Sequence, residues 1–65
     1  MRPIGTVLRD LRAEKYMTQV DVAKKAKVTR SYLAKLETGD KKNPSLIIVQ
    51  RLAKALGVPV AELMQ

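Results

Sequence analysis

A chain of 65 residues has room for one domain, because at this size folding hides only about 60% of the surface the unfolded chain exposes. With no His and no Cys it lacks the usual catalytic bases, thiolate nucleophiles, zinc ligands and disulfides, so the expectation is not an enzyme, with no metal and no cofactor. Thirteen Lys and Arg against six Asp and Glu give a formal charge of +7, which points to a polyanionic partner or, more blandly, to solubility alone.

The first amphipathic stretch places Ile4, Val7, Leu8 and Leu11 at i, i+3, i+4 and i+7, with Arg9, Asp10, Arg12 and Glu14 opposite. A helix is predicted from about Pro3 to Lys15, and proline suits its first turn. Thr18 followed three residues later by Asp21 forms a variant of the capping box, so a second helix starts there. Val22, Ala23 and Ala26 form its apolar face, and Lys24, Lys25 and Lys27 gather where the helix dipole favours cations.

A third helix is predicted from about Thr29, its N-cap, to Thr38, with Leu33 and Leu36 inward and Gly39 ending it. The stretch GDKKNP reads as a turn. Ser45 caps a fourth helix with Leu46, Val49, Leu52, Ala53 and Leu56 inward, stopped by Gly57. A short fifth helix, about Pro59 to Met64, packs Val60 and Leu63. No internal repeat, linker or low-complexity tract stands out. The N-terminus lacks the long apolar stretch of a signal peptide and no run approaches a membrane span, so the expectation is a soluble, cytoplasmic chain.

The second and third helices are joined too tightly to pack antiparallel, so the start of the third is pushed outward as a probe. There AKVTRSYLAK, residues 26–35, presents Arg30, Ser31 and Lys35, with Val28 and Leu33 plugging the corner.

Together, TQVDVAKKAKVTRSYLAKLETG, NPSL and RLAKALGVPVAEL resemble the helix-turn-helix domain of the Cro and repressor proteins of lambdoid phages and the wider Xre family. The likeness covers nearly the whole chain. It implies an all-α, five-helix bundle over residues 1–65 whose third helix enters the DNA major groove. Base readout is implied for Thr29, Arg30, Ser31 and Lys35. The family's phosphate contacts fall on Gln19, Lys41, Lys42, Asn43 and Ser45, and Tyr32 is expected to be partly exposed with its hydroxyl on a phosphate. The family also pairs a first-helix arginine with a glutamate ending the third, here Arg12 and Glu37. Lys27 occupies a turn position usually held by glycine, at a cost of about 1 kcal/mol if its backbone is left-handed.

The chemistry of these side chains supports the roles. Arginine matches guanine O6 and N7 with a planar fork, lysine reaches the same edge, and serine and threonine read less selectively. The expected function is a sequence-specific regulator of transcription, a repressor, bound as a homodimer to a palindromic double-stranded operator. No small-molecule ligand and no membrane partner are expected. The dimer interface is expected at Leu56, Val58, Pro59 and Val60, with Ile47 or Ile48, which stand side by side and cannot both enter one core stripe. The alternative is a protein-interaction module, such as the antitoxin of a toxin pair. RNA binding is weakly supported, because only Tyr16 and Tyr32 are available to stack on unpaired bases.

Overall fold

Each helix begins where the sequence supplies a cap or a proline, and three of them end where the backbone turns left-handed. The computed structural model describes residues 2–64, and among them five helices run α1 (Ile4–Glu14), α2 (Gln19–Ala26), α3 (Arg30–Thr38), α4 (Leu46–Leu56) and α5 (Val60–Leu63). No strand occurs among the described residues. At the start of α2 the Thr18 hydroxyl accepts the Asp21 N–H at 3.0 Å, and the Asp21 carboxylate accepts the Thr18 N–H at 2.9 Å. The backbone N–H of Thr18 is the main reason the Asp21 carboxyl titrates below its ordinary range, with the Thr18 hydroxyl adding to it. Thr29 caps α3 by accepting the Tyr32 N–H at 3.0 Å, and Ser45 caps α4 by accepting the Ile48 N–H at 3.2 Å. Pro3 and Pro59 begin α1 and α5 without a side-chain cap.

The α2 and α4 ends share one hydrogen-bond pattern. Lys27 and Gly57 are both left-handed, and the next residue in each case, Val28 or Val58, donates its N–H back to Ala23 or Ala53 at 3.0 Å. This closes the orphan carbonyls of the last turn. Lys27 thus adopts the φ of 59° that glycine would take more easily.

The core is aliphatic. Val7 and Leu8 of α1, Val22, Ala23 and Ala26 of α2, Leu33 and Leu36 of α3, Val49, Leu52, Ala53 and Leu56 of α4 and Leu63 of α5 are all buried. Full burial of each large aliphatic side chain contributes roughly 1.5 to 3 kcal/mol. α2 packs chiefly on α4, and α1 on α3. The close approach of α1 and α3 depends on Gly5, since a Cβ there would stand 1.9 Å from the Leu36 carbonyl oxygen. That oxygen belongs to a backbone and cannot move aside.

Two expectations are corrected. Leu56 is 2% exposed, on the α4 face that also carries Leu52 and Ala53, so its side chain belongs to the core of the domain and not to a dimer interface. Leu46, expected inward, is 63% exposed, because the first turn of α4 extends past the core that begins at Val49. Of the two isoleucines, Ile48 packs partly on the core while Ile47 is exposed.

Candidate nucleic-acid interface

The starts of α2 and α3 meet at one corner. Residues 27–29 alone separate the two helices, and the left-handed Lys27 lets the chain reverse within that length. Arg30 and Ser31, in the first turn of α3, are exposed, and so is Lys35 one turn on from Ser31. Thr29 is also exposed, with its hydroxyl oxygen committed to the cap and its proton free to donate. Tyr32 is half-buried and shares a shallow depression with Val28, Thr29 and Ile48. After α3, the Lys41 N–H bonds the Lys35 carbonyl at 3.1 Å, folding the loop back onto the last turn of the same helix. Lys41, Lys42 and Asn43 are exposed on that loop, and Ser45 stands exposed at the start of α4.

Behind the exposed cations lies a polar chain. Arg12 grips Glu37 at two points, Nε to Oε2 at 2.9 Å and Nη2 to Oε1 at 3.0 Å. Its remaining Nη1 donates to the Met17 carbonyl at 3.1 Å, so it also anchors the link between α1 and α2. The hydrogen bond to Glu37 outweighs burial and raises the Arg12 pKa. Gln19 Nε2 donates to Glu37 Oε1 at 3.1 Å, and Gln19 Oε1 accepts from Arg30 Nη1 at 3.2 Å. Two DNA-facing candidates that sequence treats separately, Gln19 and Arg30, are therefore bonded to each other. One amide hydrogen of Gln19 and most of the Arg30 donors stay available.

Some features at this corner and beside it leave no signal in the sequence. Tyr16 follows α1 with a φ of 54° and is 94% exposed, beside Gln19, Val20 and Arg30 around a shallow hollow. No local pattern marks it. Gly5 is the other, because its neighbour Leu36 is distant along the chain. The Gln19–Arg30 bond had one available sign: long polar side chains at the first positions of two helices joined by three residues. Asp10, on the outer face of α1, pairs with Arg2. None of the helices is long and apolar enough to cross a membrane, and no cluster of metal-binding side chains occurs among the described residues.

Two short helices locked by a left-handed turn, the second offering its first turn outward, define a helix-turn-helix domain. The helix-turn-helix family model matches residues 8–63, and the chain belongs to that family. It is 43% identical over 58 residues to the immunity repressor protein of Bacillus phage phi105, covering 89% of this chain and 40% of the repressor. It is 40% identical over 60 residues to an uncharacterised HTH-type transcriptional regulator of Sinorhizobium fredii, covering 92% of this chain and 77% of that protein. The chain thus spans less than half of the phage repressor. In structure it is similar to the restriction-modification controller protein C.AhdI from Aeromonas hydrophila, with TM-score 0.89, 36% identity and coverage of 94% and 91% of the two chains. It is also similar to SinR, the master regulator for biofilm formation, in complex with DNA, with TM-score 0.90, 32% identity and coverage of 95% and 98%.

Proposed function

We propose that the chain is a sequence-specific double-stranded DNA-binding regulator of transcription, a repressor, acting as a homodimer on a palindromic operator. The observation that carries this is the corner where Arg30, tied to Gln19, stands at the exposed start of α3. Arg30, Ser31, Lys35 and Thr29 read base edges in the major groove. Gln19, Tyr32, Lys41, Lys42, Asn43 and Ser45 hold phosphates on either side of them. Relatives named as repressors and regulators support DNA over a protein as the partner.

The size of the domain supports pairing. The longest extent of the domain is 25 Å, less than the roughly 34 to 36 Å between major-groove segments one turn apart on one face of DNA. One copy therefore covers one half-site. Val58, Pro59 and Val60 at the α4–α5 junction, with Ile47, and with Ile48 to the extent it is uncovered, form the contact between copies.

Selection of bound duplexes from a random pool tests this reading. The expected product is an enriched palindrome with half-sites one helical turn apart, bound with a log affinity that falls by about 0.9 per neutralised phosphate for each unit of log salt. No enriched sequence, or binding indifferent to salt, contradicts it.

A further inference from the structure

Glu37 is a charged side chain placed in the interior, at 8% exposure, directly behind the corner that faces DNA. Its pairing with Arg12 satisfies the charge but does not explain the choice of an acid, since aliphatic side chains of similar volume commonly serve a buried site as well or better. An acid can accept a further bond, and Glu37 does so from Gln19 Nε2.

A carboxylate accepts and does not donate. It therefore admits one orientation of the Gln19 amide, with the NH2 turned toward Glu37 and the oxygen turned toward Arg30. We infer that Glu37 is a positioning residue for Arg30, fixing through the Gln19 amide the guanidinium that reads the base. The inference rests on the assignment of Arg30 to base readout. Arg12 makes the orientation firm, because its two bonds to Glu37 and its third to the Met17 carbonyl hold the acid against the backbone. Arg30 gives up one donor to this chain and keeps the others for a two-point bond to a base. A guanidinium held in this way loses less freedom on binding than one on an open helix face.

Fluorescence anisotropy on Glu37→Gln, Gln19→Ala, Arg30→Ala and the double variants tests the relay. The probes are the duplex selected from a random pool by the unchanged chain and duplexes altered in it one base pair at a time. The readout is the ratio of affinities for selected and altered duplex. A smaller folded fraction or a weaker hold on phosphate lowers both affinities alike and cancels in that ratio. Glu37→Gln lets the Gln19 amide face either way, and Gln19→Ala removes it while leaving the Arg12–Glu37 ion pair intact. Each single change is expected to lower the ratio about threefold to tenfold at the base pair where Arg30→Ala relaxes preference, the cost of ordering one long side chain. Neither is expected to lower it further in the Arg30→Ala background. An unchanged ratio in either single variant overturns the relay and leaves Arg30 as the reader. If Arg30→Ala alters the ratio at no base pair, the base-reading assignment fails and the relay fails with it.

Discussion

Two stretches of chain, 22–33 and 52–63, fold the same way and lead to different ends. Val22 and Leu52, Ala23 and Ala53, Ala26 and Leu56, Leu33 and Leu63 occupy matching buried positions, and each stretch turns at a left-handed residue, Lys27 or Gly57. The first turn is followed by a threonine cap and nine helical residues that open with Arg30 and Ser31. The second is followed by Pro59 and four residues of helix, whose Leu63 plugs the core. The turn is therefore a general device for seating a following helix. On the proposed function, what suits α3 to reading is its length, its cap and the polar side chains of its first turn.

The largest expected effect separates the two plugs. Leu33→Ala, at the centre of the bundle, should cost about 4 kcal/mol, and Leu63→Ala, on a four-residue helix that can settle into the space, about 2 kcal/mol. Urea denaturation of both variants gives the comparison, and equal costs would mean that α5 is seated as firmly as α3. Next in size is Gly5→Ala, which forces α1 away from the Leu36 carbonyl and should cost about 2 to 3 kcal/mol by overpacking. An exposed helix site gains about 1 kcal/mol from the same change, so a stabilised variant would contradict the close approach of the two helices.

How much of this was legible in the sequence depends on the range of the interaction. Caps at Thr18, Thr29 and Ser45 act within three residues and were readable, as was the α1 stripe of Val7 and Leu8. The repetition of 22–33 in 52–63 is faint in the sequence, where only Ala23, Lys24, Val28 and Leu33 recur unchanged, as Ala53, Lys54, Val58 and Leu63; it stands out in buried positions and turn geometry. Helical spacing groups residues on a face but does not say where a helix overhangs its core, which is why Leu46 turned outward. The Gln19 and Arg30 positions were legible through their resemblance to the family, whereas the bond from Gln19 to Glu37 spans 18 residues of sequence and no local pattern marks it.

The two turns themselves provide a sharper test. Gly57→Ala meets no neighbour within 4 Å, so its cost is that of the backbone alone, about 1 kcal/mol. Lys27→Gly relieves the same strain at the other turn and should stabilise by about 0.5 kcal/mol once the greater freedom of glycine in the unfolded chain is offset. Thermal melts should move in opposite directions, and movement in the same direction would mean the turns are not equivalent. The smallest effect is at the start of α2. The folded Asp21 carboxyl titrates below its unfolded value, so its cap contributes stability above about pH 4 that is lost as pH falls through the folded pKa. Asp21→Asn should flatten that acid limb, and an unchanged limb would assign it to other carboxylates.

On the proposed reading, the first turn of α3 reads sequence while the loop after it only holds DNA. Anisotropy with selected and scrambled duplexes at several salt concentrations, on Arg30→Ala and Lys42→Ala, tests that division most directly. Arg30→Ala should lose about 1 to 3 kcal/mol on the selected duplex per reader and relax one base pair in each half-site. Lys42→Ala should weaken both duplexes alike and reduce the salt slope by about 1 for each phosphate the lysine no longer neutralises. Equal losses on both duplexes for Arg30→Ala would make that arginine a phosphate clamp and contradict the division between reader and holder.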